Sequence, residues 1–305
     1  KERAVYMKEY SLSEQFALIS LDGMDAIHDT VAKKVALSGI AMAEVLQKMI
    51  SNGSMKNSAS FGEQLAGEIS RVRKMSKKER HKLEKEMTAA LKAEEALTEI
   101  PNLLGCDMTY YTANVTIREY RSELREYQRI VESIRAEILE PGEASLETVC
   151  LLYLCRETGC MHDIFSVEEQ EQIQSRMIEM MAATPFYKAL LETEFYSGIR
   201  NAYLGFLRAK TNLFKNPYLE GVNLLFPFLD RKQAIFIDMV IVGTTVEERR
   251  RKTIEFLRSN GHVCEEVPMG SERFIKVDNK YYRIFPSTRS CKVPIQGIEL
   301  LPVYR

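Results

Sequence analysis

Residues 145–183 constrain this chain more than any other stretch: SLETVCLLYLCRETGCMHDIFSVEEQEQIQSRMIEMMAA. The spacing predicts two helices joined by a short turn. The first, over 147–157, is apolar almost all round, carrying Val149, Cys150, Leu151, Leu152, Tyr153, Leu154 and Cys155. A helix without a polar face belongs in the middle of a core. Gly159 is a natural stop, and Ser166 with Glu169 three residues on makes a capping box for the second helix. That helix is amphipathic, with Val167, Ile173, Met177, Met180 and Met181 on one stripe and Glu168, Glu171, Arg176 and Glu179 elsewhere. A buried helix covered by a half-buried one is the expected centre of the fold.

Helical spacing surrounds this pair. A short helix is expected over 11–22, and a long one over 25–50 with Ile27, Val31, Val35, Met42, Val45 and Met49 on its apolar face. The middle of the long helix, ALSGIAMAE, is rich in small residues that let a neighbour approach closely. SNGSMKNSAS, residues 51–60, has almost nothing to bury and reads as a mobile linker. A charged helical tract is expected over 62–97, broken by Pro101 and Gly105, then a long helix over 115–140 ended by Pro141-Gly142. After Pro185 the helical pattern continues to Phe214, and LLFPFLD marks an irregular junction.

From Ala234 the texture changes. AIFIDMVIV is strand-like, TTVEERRRKTIEFLRSNG reads as a helix, HVCEEV as a strand, and RFIKV-DN-KYYRIF as a hairpin turning at Asp278-Asn279. GIELLPVY at the tail adds a further candidate strand. The fold class expected is mainly α. A large helical domain, 1–230, is built around the buried central helix, and a small α+β domain of order β-α-β-β-β occupies 231–305.

Charge follows the same division. The whole chain carries −1, but residues 231–305 hold 14 basic and 9 acidic residues, so the later part is basic and the earlier part acidic. The later part would tolerate an anionic partner. No uncharged apolar run reaches the ~20 residues that span a bilayer. Six cysteines without a regular framework suit a reducing compartment, which places the protein in the cytoplasm.

Chemical motifs are sparse. Cys150, Cys155 and Cys160 are spaced by five, which turns the side chains apart, so neither they nor His162 are expected to hold zinc. His28 and Asp29 are neighbours on a helix pattern and do not face each other. No phosphate loop, His-Glu-x-x-His or Gly-x-Ser-x-Gly occurs. Val242-Gly243-Thr244-Thr245 reads as an ordinary helix cap. The acidic second helix of the central pair has the wrong sign for a DNA-reading helix. The basic tract over 71–85 is interrupted by Glu79 and Glu84 and reads as a solvated helix face. The denser cations are Arg249, Arg250, Arg251 and Lys252, with Arg273, Lys276, Lys280 and Arg283 on the hairpin. Interleaved with Tyr281, Tyr282 and Phe285, these eight are the candidate anion-binding residues for lipid headgroups or nucleic acid. Strand alternation divides such side chains between two faces, so a sheet with one solvated face gives the same pattern.

Three stretches resemble the Golgi phosphoprotein family and its bacterial relatives. LSEQFALI from Leu12 resembles that family's opening helix, ALSGIAMAEVL from Ala36 its Gly-containing helix, and LLYLCRETGCMHDIFSVEEQEQIQSRM a later helix, turn and charged helix. The resemblance covers about a quarter to a third of the chain and rests on apolar patterning. It implies a helical lipid-binding domain acting as an adaptor at a membrane surface. The family's headgroup hairpin and tryptophan have no counterpart, since the chain contains no Trp. No site residue transfers.

The reading is a non-enzymatic cytoplasmic binding or adaptor protein, peripheral to a membrane, without cofactor or metal. Its partners would be anionic lipid or another protein. The alternative is a nucleic-acid-associated protein working through the basic C-terminal unit. An enzyme with a scattered site lacks a nucleophile–base pair or metal spacing to argue for it.

Overall fold

Ser145 opens the central helix by accepting a hydrogen bond from the Thr148 amide, and Gly159 at φ 79° closes it. The helix runs Leu146–Thr158, and every residue from Thr148 to Cys155 is buried. A computed structural model describes residues 8–53, 58–113, 117–195, 234–269, 272–289 and 293–303. The chain is mainly α, with a two-stranded and a five-stranded antiparallel sheet.

In chain order the helical part contains α1 (Leu12–Ser20), α2 (Val31–Ser51), α3 (Ser58–Arg73), α4 (Lys77–Ala93), strand β1 (Leu97–Pro101), a 3-10 turn (Leu103–Cys106) and α5 (Met108–Thr112). Strand β2 (Arg118–Ser122), α6 (Leu124–Leu139), α7 (the central helix), α8 (Met161–Ile164), α9 (Val167–Ala183) and α10 (Pro185–Glu192) follow. α7 packs against α1, α2, α6 and α10. Gly39 of α2 permits one of these close approaches. A Cβ there would lie 2.5 Å from the Phe16 ring of α1 and 2.9 Å from the Thr158 methyl of α7.

Several expectations need correction. The cover of α7 is not chiefly α9, which packs mainly on α10 and α6. The capping box of α9, Ser166 with Glu169, is formed as the sequence predicts. The helix expected from residue 25 begins only at Val31. Residues 23–26 lie along β2 instead, with the Gly23 amide on Tyr120 O, the Tyr120 amide on Met24 O and the Ala26 amide on Arg118 O. Asp25 then bonds the amides of Ile27 and His28, and Thr30 caps α2. The charged tract expected over 62–97 is two helices with a break before Ser76, whose capping box starts α4. Its last residue, Leu97, and residues 118–122 of the helix expected over 115–140 belong to strands instead. Ile100 pairs with Glu119 and Leu97 with Ser122. The linker expected over 51–60 falls partly on α3, which starts at Ser58, and residues 54–57 lie outside the described residues. So does the helical pattern expected over 196–214 and the LLFPFLD junction.

The C-terminal part contains β3 (Ile235–Asp238), α11 (Val246–Ser259), β4 (Cys264–Met269), β5 (Glu272–Val277), β6 (Lys280–Arg289) and β7 (Ile295–Val303). The sheet order is β3-β7-β6-β5-β4, so the tail strand is internal, with Phe236 opposite Glu299 and Ile284 opposite Leu300. β3 is shorter than AIFIDMVIV suggested, because the chain turns away after Asp238 toward α11. α11 carries a capping box, Thr245 with Glu248, and buries Thr253, Ile254 and Leu257. The core beneath it joins Ile235, Ile237, Ile275, Val277, Tyr282, Ile298 and Leu300, and takes in Leu103 and Cys106 from the 3-10 turn. A second and larger core surrounds α7. Among the described residues no helix is long and apolar enough to cross a membrane.

Leu152 is fully buried in α7. Leu152→Ala should lower unfolding free energy by about 2–5 kcal/mol, read by urea denaturation. A variant as stable as the parent would contradict the central position of this helix.

Candidate functional site

The eight sequence-nominated cations are distributed over three different environments. On α11, the Arg249 guanidinium turns back to the turn before its helix, donating to Thr244 O at 2.7 Å. Arg250 is half-buried, Arg251 pairs with Glu255 at 2.9 Å one turn on, and Lys252 is exposed. On the sheet, the pleat separates the others. Lys276 and Arg283 lie on the face away from α11, over Tyr281 (5.8 Å) and Phe274 (5.2 Å) respectively. Lys276 also pairs with Glu265 at 3.5 Å. Arg273 alternates with Lys276 and lies opposite Pro268, with its own partner Glu266 at 3.7 Å. Lys280 leaves the surface altogether and pairs with Glu119 of β2 at 3.4 Å. The eight therefore do not converge on one face.

A different pair of cations lines a cavity of about 580 Å³. Its wall is Ala66, Ile69, Ser70 and Arg73 of α3, Lys74 immediately after it, and Thr193 and Glu194 after α10. Ile69 is buried and supplies an apolar floor. Arg71, two residues before Arg73, is occupied by Glu68 at 2.6 Å, and Lys77 of α4 by Asp29 at 3.3 Å. Among the described residues, Arg73 and Lys74 have no carboxylate partner. The reason is visible in the sequence, since three and four residues either side of them stand only Ile69, Ser70, Arg71, Ser76, Lys77 and Lys78. Arg73 and Lys74 are exposed, as the reading of the 71–85 tract as a solvated face expects, and the missing acid is the signal that distinguishes them within it.

The remaining candidates are structural. Cys150 and Cys155 are core side chains of α7, and Cys160 sits beyond its end with Sγ 3.2 Å from Thr158 Oγ1. Burial pushes the thiols of Cys106, Cys150 and Cys264 up to about 12. Among the described residues no group of three or more His, Cys, Asp or Glu is placed to hold a metal ion. His28 bonds Asp25, not its neighbour Asp29, at 2.9 Å. Gly243 and Thr244 serve the turn before Thr245, which caps α11. Compared with family models, curated proteins and solved structures, the chain has no significant match.

Five of the six cysteines, Cys106, Cys150, Cys155, Cys160 and Cys264, are buried. Cys106, Cys150 and Cys264, their thiolates suppressed by burial, should react with a soluble aromatic disulfide reagent at pH 8 far more slowly in the native protein than in urea. Rapid native labelling of more than one thiol per chain would show that these sites open readily.

Proposed function

We propose that the protein is a non-enzymatic binding protein that attaches peripherally to a membrane by holding an anionic lipid headgroup in the α3 cavity. The observation that supports this reading is the pair Arg73 and Lys74, two cations without a carboxylate partner among the described residues, beside an apolar floor in a cavity of about 580 Å³. That volume is of ligand size. A phosphate would sit toward Arg73 and Lys74, where charge-assisted hydrogen bonds are strongest. Headgroup hydroxyls would sit toward Ser70, Thr193 and Glu194, and the glyceryl end against Ile69 and Ala66. The resemblance of the LSEQFALI, ALSGIAMAEVL and LLYLCRETGCMHDIF stretches to the Golgi phosphoprotein family points toward the same kind of adaptor, at the cytoplasmic face of a membrane.

Co-sedimentation with vesicles of neutral lipid, with and without an anionic phosphoinositide, tests the proposal. The parent should bind only the anionic vesicles. Each cation near such a surface contributes about 1 kcal/mol, so R73A/K74A should weaken binding by roughly thirtyfold. R249A/R250A/R251A should leave it unchanged. No binding by the parent, or equal binding by R73A/K74A, overturns the reading. Salt-dependent retention on nucleic acid that is lost in R249A/R250A/R251A would favour the nucleic-acid alternative instead.

A further inference from the structure

Where the β5–β6 turn meets β2 and the loop after α1, three carboxylates, two permanent cations and one imidazole are enclosed together. Asp22 Oδ1 accepts from the Ser122 amide (3.0 Å) and from Asn279 Nδ2 (2.9 Å). Asp278 binds Arg121 through one oxygen (2.7 Å) and His262 Nδ1 through the other (2.8 Å). Lys280 Nζ lies 3.4 Å from Glu119 and rests on Gly23, where a Cβ would come within 2.2 Å of it. The side chains of His262, Asp278, Glu119 and Lys280 are all less than one-tenth exposed, and Arg121 is one-quarter exposed. Asp22 is 8 % exposed as a residue. Among the described residues, His262 Nε2 is buried without a hydrogen-bond partner.

With all three acids ionised, this group carries one negative charge in excess of its two permanent cations, Arg121 and Lys280. An uncompensated charge in such a place is costly, and the group relieves it by binding a proton. Its neighbours do not supply the missing positive charge. Asp163 of α8 acts on Asp22 with the same sign. Tyr282 faces Lys280, and Cys106 and Cys264, near Asp278, are neutral thiols. Arg258 on α11 acts on Cys264 but is solvent-exposed.

We infer that docking of the C-terminal sheet onto β2 and the loop after α1 takes up one proton. The contact tightens as pH falls and loosens as pH rises. The sign follows from the acids. Burial holds Asp22 and Glu119 above the usual carboxylate range, against the pull of Lys280. Between their ordinary values, 3.8 and 4.5, and the raised folded ones, the folded state binds more protons than the unfolded chain. Stability is therefore gained as pH falls through the raised values and is level below the ordinary ones. Asp278 has the opposite sign. Burial pulls it upward, but His262, the Val263 amide and Arg121 outweigh this and hold it below 3.8, so its contribution is lost only in stronger acid. The proton belongs to the group as a whole, because these sites titrate together.

Urea unfolding across a pH series, comparing the parent with D22N and E119Q, tests the inference. Each substitution removes the surplus charge, and D22N retains the Oδ1 that accepts both hydrogen bonds. The ratio of parent to variant unfolding constants should change about tenfold per pH unit in the window, the slope of one proton. K280M adds a second surplus charge and should steepen the parent's slope by about another tenfold per unit. His28, His81 and His162 are common to every protein compared and cancel. If D22N fails to fold, E119Q and K280M still predict opposite changes of slope. Parallel curves for the parent and E119Q, or a K280M slope equal to the parent's, overturn the inference.

Discussion

The helical part depends on the burial of α7 from all sides. A helix lacking a polar face has no stable place at a surface, so other elements must enclose it, and α1, α2, α6 and α10 do so. Such enclosure leaves its polar ends to be satisfied internally. At the C-terminal end, Glu157 is fully buried, and its carboxylate accepts from Arg156 Nε and from the Phe195 amide, both at 2.8 Å. Arg156 in turn donates to Leu191 O at 2.8 Å and lies over the Tyr153 ring. This charged pair anchors the segment after α10 to the core. It is expensive to break, because either partner left alone would be a buried, uncompensated charge.

The same economy of partners governs the space between α2, α4 and β2. Lys33 of α2, almost completely buried, pairs with Glu84 of α4 at 2.9 Å. Tyr120 of β2 donates to the same carboxylate at 3.0 Å. Helices and a strand far apart in sequence are thus fixed by a few polar contacts within an apolar surround. Removing either member of the Lys33–Glu84 pair would leave the other as a buried, uncompensated charge.

Local signals read well where they were self-contained. Ser166 with Glu169, Gly159, the Asp278-Asn279 turn and the extent of α11 follow from caps, stops and alternation within a few residues. Long-range pairing was not legible. REYRS, as a five-residue strand, merges into the helical periodicity of α6, and only its pairing with residues 97–101 on one side and 23–26 on the other reveals it. The candidate cations show the same limit. Sequence marks Lys280 as basic and hairpin-borne, but nothing near it announces Glu119 or the contact with Gly23. Arg73 and Lys74 were legible in principle, through the absence of an acid at helical spacing, whereas the wall contributed by Thr193 and Glu194 was not.

The position of β7 has a consequence for how the chain reaches this state. β7 is last in sequence among the described strands, yet it lies between β3 and β6 and is the only hydrogen-bonded strand partner of β3. During synthesis β3 emerges early and waits, unpaired, while α11 and the β4–β5–β6 meander are made. Its apolar residues Ile235, Phe236 and Ile237 remain available to wrong partners until the tail arrives. Sheet closure is thus a late, non-local event, with the entropy of a long loop to overcome. A nick or truncation within the last strand would separate β3 from β6 and undo the sheet from its interior, rather than fray an edge.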